Sequence, residues 1–203
     1  MKIICVGRNY TAHAKELKNE VPKEPVIFLK PDTALIPKRQ PFFYPSFSTD
    51  VHYEAELVIR INRVGKHIQE KFAHKYYSEL SLGIDFTARD LQSTLKEKGL
   101  PWEKAKAFDG SAPVGKFLNK SVFSDLSQLD FSLNINDEIR QKGNTANMLF
   151  SIDKLIAYIS QYFTLKIGDL IFTGTPEGVG PINKGDHLQG FIAENKVLDL
   201  KVR

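Results

Sequence analysis

A β-rich, mixed α+β fold is what these 203 residues predict, and three observations lead to it. The extended runs are many and short. The helical runs are few and scattered, so no regular strand–helix alternation builds a doubly wound parallel sheet. No internal repeat or low-complexity linker divides the chain, and 42% hydrophobic content suits one core and one domain over residues 1–203.

The elements follow in order. Lys2 to Val6 is an apolar run that predicts a strand. Asn9 or Thr11 can cap a helix running through about Lys18. Val26 to Leu29 predicts a short buried strand closed by Pro31, and Pro37, Pro41 and Pro45 then mark an irregular segment. In Tyr53 to Ile61 the residues Tyr53, Ala55, Leu57, Ile59 and Ile61 form an apolar strand face. Gln69 to Tyr77 has helical character, and Leu80 to Phe86 is extended. Thr87-Ala88-Arg89-Asp90 resembles a capping box opening a helix over about Arg89 to Lys98, stopped by Gly99 and Pro101. Phe131 to Asn136 alternates, and Asp137 and Glu138 turn it into a hairpin with Ile139 to Gln141. Ile152, Leu155, Ile156, Ile159 and Phe163 fall at helical spacing, which predicts a helix over Ser151 to Tyr162. Asp169 to Thr173 is a strand entering the turn-rich Gly174 to Pro181. A last hairpin spans His187 to Val202, with its turn at Asn195-Lys196.

Composition excludes several classes. Net charge is +4 and the pI is about 9.0, but no basic run exceeds two residues, as in Lys38-Arg39. That is a solvated surface rather than a nucleic-acid-binding stripe. The single cysteine, Cys5, excludes an internal disulfide and a multi-cysteine zinc site. No apolar stretch is long enough to span a membrane, and the N-terminal apolar run is too short for a signal peptide, so a cytoplasmic protein is expected.

The chemistry-bearing pattern is Glu54 and Glu56 on one strand face, with Asp85 at the end of a later strand. Two carboxylates ~4 Å apart repel by roughly 4 kcal/mol at an effective dielectric near 20. A divalent cation removes that repulsion, and an all-oxygen site favours magnesium, manganese or calcium. The alternative is a solvated sheet face. His13 and Glu16, three apart on the first predicted helix, share a face where a carboxylate can orient an imidazole as a base, although spacing alone favours a surface pair with no role. His52 has the strand parity of the two glutamates and suits a structural role beside them. Gly110 to Phe117 fails as a phosphate-binding loop because Phe117 stands where a hydroxyl is needed. Thr175 and the amides of the Gly174–Gly180 loop can grip a carboxylate, and Lys104 or Lys106 can steady an enolate.

These pieces, in order, resemble the fumarylacetoacetate hydrolase superfamily, most closely its short acylpyruvase/oxaloacetate-decarboxylase branch. The marks are Val6-Gly7-Arg8-Asn9-Tyr10 with His13 and Glu16, Phe28-Leu29-Lys30-Pro31, His52-Tyr53-Glu54-Ala55-Glu56, Asp85 to Gln92, Gly99-Leu100-Pro101-Trp102 with Lys106, and Thr173 to Gly180. The resemblance spans nearly the whole chain. It implies a roll of mixed β-sheets, usually a homodimer, with Glu54, Glu56 and Asp85 holding Mg2+ or Mn2+. It also implies His13 and Glu16 as a catalytic dyad on a lid helix, Lys106 as a catalytic lysine, and Gln92 and Thr175 as substrate contacts. Ala107 departs from the serine that often follows the family's active-site lysine.

The expected activity is metal-dependent hydrolysis of a C–C bond in an acylpyruvate-type 2,4-dioxo acid. Oxaloacetate decarboxylation or tautomerisation, or isomerisation of a 2-hydroxy-dienoate, is the alternative at the same site. A non-catalytic binding module is the alternative from a different class. The expected partner is a small 2-oxo acid, with no nucleic acid and no membrane.

Overall fold

The computed structural model describes residues 1–11 and 21–203, and its centre is a six-stranded sheet whose two faces are both buried. Its order is β2 (Ile27–Lys30), β1 (Ile3–Val6), β10 (Leu170–Phe172), β4 (Ala55–Ile61), β5 (Tyr77–Ile84), β7 (Leu118–Asn119). Strand alternation divides the apolar residues between two cores. Ile4, Val6, Leu57, Ile59, Ile61 and Ile171 face the larger one, while Ile3, Cys5, Val58, Leu170 and Phe172 face the smaller. The strand within Tyr53 to Ile61 therefore does not have the solvated face named as the alternative, because β4 is an interior strand covered on both sides.

A three-stranded sheet, β11 (Gly180–Pro181), β3 (Val51–Tyr53), β6 (Thr87–Ala88), adjoins it. A four-stranded sheet of β13 (Asn195–Lys201), β12 (His187–Ile192), β8 (Asp130–Ile135) and β9 (Glu138–Asn144) packs beside both. Its apolar residues Leu133, Leu188 and Leu198 join Ile84 and Phe86 in a third core. Among these strand pairs only β1 with β10 is parallel. This is the mixed, β-rich α+β architecture expected.

Four α-helices are described: α1 (Glu70–Ala73), α2 (Arg89–Glu97), α3 (Glu103–Lys106) and α4 (Ile152–Tyr162). In α4 the Ser151 hydroxyl accepts from Lys154 N at 3.2 Å, capping a helix that buries Ile152, Leu155, Ile156 and Ile159. Each such aliphatic side chain contributes about 1.5–3 kcal/mol relative to exposure. Among the described residues no helix is long and apolar enough to cross a membrane.

Several local expectations shift. β2 is a half-buried edge strand, not a buried one. The helix expected over Gln69 to Tyr77 is the short α1, because Tyr77 already starts β5. No capping box forms before α2: Asp90 instead accepts from Ser48 Oγ at 2.7 Å and Thr49 N at 3.0 Å. The β8–β9 turn is Asn136-Asp137, both at positive φ, and the last hairpin turns at Ala193-Glu194, two residues before Asn195. Among the described residues the Asn9 side chain bonds to backbone far along the chain. Its amide donates to Phe150 O and Thr173 O and accepts from Phe150 N, all within 3.0 Å. The helix expected through Lys18, with His13 and Glu16, falls outside the described residues.

Candidate metal centre

Strands β1, β10 and β5 end, and β4 begins, along one side of the central sheet. Three carboxylates converge there. Ala55 lies opposite Ile84 and Glu56 opposite Gly83, so Asp85 emerges beside Glu54, and its amide donates to Glu54 O at 2.8 Å. One oxygen from each of Glu54, Glu56 and Asp85 lies within 4.8 Å of the others. All three residues are buried. Glu54 is not in a strand: it occupies the break between β3 and β4, where the chain passes from one sheet to the next. Convergence therefore comes from that junction as well as from strand alternation.

Two glycines make the approach possible. A Cβ on Gly83 would lie 2.7 Å from the Phe172 ring and 2.8 Å from Val58 Cγ2. Gly174 adopts φ +96°, which places its N–H 2.7 Å from Glu56 Oε2, and a side chain there would meet Asn9 Cβ at 2.6 Å.

Three basic side chains surround the acids. Lys106 Nζ donates to Glu54 Oε2 at 2.9 Å, Asp85 Oδ2 at 2.7 Å and Thr87 Oγ1 at 2.6 Å. Arg89 donates to Glu54 Oε1 and to Gln92 Oε1, each at 2.6 Å. Lys30, 2% exposed, donates to Ser111 O at 2.9 Å and stands 2.7 Å from Asp85 Oδ1. That last approach is an ion pair without hydrogen-bond alignment, so Asp85 Oδ1 keeps no hydrogen-bond partner.

Among the described residues no basic group pairs with Glu56. Burial, then the Asp85 and Glu54 charges, push its carboxyl well above the ordinary range. Burial pulls Lys106 down, but Asp85 and Glu54 outweigh it, and its pKa rises above an ordinary lysine's. Cys5 lies nearby and is inert: burial, then Asp85, raises its thiol. The donor set fits a hard divalent cation. It offers carboxylate oxygens alone, an Asp85 oxygen without a hydrogen bond, and a Glu56 carboxyl with no ion-pair partner among the described residues.

The other expected residues lie around this cluster. Gln92 is buried and oriented by Arg89. Thr175 Oγ1 donates to Ala55 O and accepts from Gln141 Nε2, both at 2.9 Å. His52 shares a 2.9 Å contact with Asp50, and burial, then Arg89, lowers its pKa, which fits the structural role expected. Lys106 lies inside the cluster, its three N–H groups donating to Glu54, Asp85 and Thr87.

Lys30 and Arg89 lie in the motifs that carry the resemblance but have no role assigned from sequence, and Gln141 lies outside those motifs. Gln141 Oε1 accepts from Ala55 N at 2.9 Å while its Nε2 reaches Thr175 Oγ1 and Pro176 O, clamping the Gly174 loop to the start of β4. Gln141→Ala is expected to cost about 1–3 kcal/mol by leaving the Ala55 amide unpaired, and to weaken Mn2+ binding about 10–100-fold. Urea unfolding and a metal titration check this; unchanged metal affinity would reject the clamp.

A family model described as fumarylacetoacetate (FAA) hydrolase C-terminal matches residues 2–202. The chain is 46% identical over 188 residues to the oxaloacetate tautomerase YcgM of Escherichia coli (strain K12), covering 92% of this chain and 86% of that protein. It is 46% identical over 185 residues to a mitochondrial oxaloacetate decarboxylase of Dictyostelium discoideum, covering 91% and 85%. The solved fumarylpyruvate hydrolase of Pseudomonas aeruginosa, in complex with Mn2+ and pyruvate, superposes with a TM-score of 0.93 at 38% identity, covering 100% of this chain and 89% of that one.

Proposed function

The chain belongs to the fumarylacetoacetate hydrolase family, and from that premise we propose a divalent-metal-dependent enzyme that tautomerises, and also decarboxylates, oxaloacetate-type 2-oxo acids. The buried cluster of Glu54, Glu56 and Asp85 carries the proposal. The relatives favour this chemistry over the acylpyruvate hydrolysis expected from sequence, because the two curated proteins at 46% identity are named for oxaloacetate, against 38% for the fumarylpyruvate hydrolase. Hydrolysis stays as the second activity, supported by the Pseudomonas neighbour. Resemblance to enzymes over the whole chain weighs against a binding module.

Glu54, Glu56 and Asp85 would hold Mg2+ or Mn2+. Bound there, the cation supplies Lewis-acid polarisation of a 2-oxo group. The chain's own residues do the rest. Lys106 and Lys30 form ion pairs with Asp85, and Lys106 and Arg89 form them with Glu54. Gln92, with its carbonyl oxygen on Arg89, offers its amide NH2 to the substrate carboxylate. The Thr175 loop, fixed by Gln141, borders the opposite side. Tautomerisation moves a proton between C3 and the 2-oxo oxygen, and His13, three residues from Glu16, is the proposed base at C3.

The test is a rate comparison of oxaloacetate enol–keto conversion, oxaloacetate decarboxylation and acetylpyruvate cleavage with Mn2+. Tautomerisation is expected to be fastest and to vanish on chelation; full activity without metal overturns the proposal. His13→Ala should lower the tautomerase rate by at least about 100-fold, and an undiminished rate removes His13 from the scheme. Mn2+ with oxalate at about 100 times Kd should stabilise the fold by about 2.7 kcal/mol, or about 5–10 °C for a chain of this size. The family resemblance also supports a homodimer, which sedimentation equilibrium would test.

A further inference from the structure

Helix α2 carries Arg89, Gln92 and Lys96 on one face, at helical spacing. The first two enter the acid cluster. The third continues the row, about 10 Å along the helix from Arg89 at 1.5 Å per residue. There the Lys96 ammonium stands 5.7 Å from the centre of the Trp102 ring. Trp102 meets Phe28 edge-on at 6.4 Å, and the two rings line a cavity of about 280 Å³ together with Ile27, Leu100 and Pro101. Lys106 also lines this cavity, 5.3 Å from the Phe28 ring centre. It is the same ammonium that bonds Glu54 and Asp85, so cavity and metal centre share a wall.

The charges here are unbalanced in a specific way. Arg89 and Lys106 are matched to carboxylates. Among the described residues Lys96 has no acid in ion-pair range. Burial, then the Arg8, Arg89 and Lys106 charges, lower its pKa, with Glu54 acting weakly in the opposite direction. The acid on the cavity rim, Glu103, is exposed to solvent. A cation beside other cations, next to the Trp102 ring that lines an apolar cavity, attracts an anion with an apolar stem.

We propose that Lys96, with the Phe28/Trp102 cavity, is a tail subsite for 2-oxo acids that end in a second carboxylate. The carbon spacer lies along the two rings and the terminal carboxylate meets Lys96. This deepens the proposed function and rests on it, since it assumes that the 2-oxo acid end sits at Glu54, Glu56 and Asp85. Lys96 is a specificity residue in this scheme and plays no part in the proton transfer.

The test pairs a 2-oxo diacid with its terminal methyl ester, using wild type, Lys96→Met and Lys96→Arg. Turnover with Mn2+ gives KM and kcat, and calorimetry on the Mn2+-loaded protein gives Kd. The preference for diacid over ester should fall about tenfold or more in Lys96→Met, the equivalent of one lost ion pair of 1.4 kcal/mol. The change should lie in KM and Kd rather than kcat, and Lys96→Arg should restore it. An unchanged preference in Lys96→Met overturns the subsite. If wild type turns over neither compound, yet the diacid binds in a Lys96-dependent way, the catalytic proposal fails and the subsite stands.

Discussion

Replacing Glu56 by glutamine is expected to abolish activity while leaving the metal-free protein at least as stable as wild type. The loss should exceed the 10–100-fold typical of an outer-sphere partner, reaching about 1,000-fold, because Glu56 is proposed as a direct ligand. The amide keeps an acceptor for Gly174 N, so the loop contact at 2.7 Å survives. The stability effect follows from the raised carboxyl. Glu56 ionises less readily folded than unfolded, so ionisation weakens the fold as pH rises from the ordinary value of 4.5 through the higher folded value. Below pH 4.5 that penalty is absent. Glu56→Gln should therefore melt above wild type in EDTA at pH 7 and approach it at pH 4. Calorimetric scans at both values check this. A variant less stable at pH 7 than at pH 4, relative to wild type, would mean that Glu56 is not strained by its neighbours.

Lys106→Met should have the opposite stability signature. Removing the ammonium leaves Glu54 and Asp85 buried with Arg89 and Lys30 alone, and Thr87 Oγ1 without its donor. Breaking a buried ion pair from one side costs about 3–5 kcal/mol, which corresponds to a fall of about 6–20 °C in Tm at this chain length. Activity should fall with it, and Mn2+ should recover part of the stability by supplying positive charge to the same oxygens. A Tm within 2 °C of wild type, an error-sized change at this scale, would show that Lys106 is not the main counter-charge.

Much of this centre was legible in the sequence. Alternation placed Glu56, and the strand end placed Asp85. Glu54 was found by the same pattern, although it lies in a break between strands that alternation cannot foresee. The α4 spacing gave its buried face because that signal is local. Gln141 left no local trace: it sits in an otherwise exposed strand, and its partners Thr175 and Ala55 are 34 and 86 residues away. Lys30 carried a weak signal, a charge closing an apolar strand before Pro31, but its acidic partner Asp85 is set by the fold. Thr87-Ala88-Arg89-Asp90 misled because Asp90 finds Ser48 and Thr49, a tertiary contact that competes with capping.

The parallel pairing of β1 with β10 joins Ile3 to Leu170, and Asp169 takes both the Lys2 backbone amide and its ammonium. Contacts of such long separation form late and slowly. While the chain is still on the ribosome, β1 and β4 have no β10 between them, and Glu56 has no Gly174 amide. A nascent chain stalled before residue 169 would present two unsatisfied strand edges to its surroundings, which makes the final sixth of translation the interval of greatest need for a chaperone.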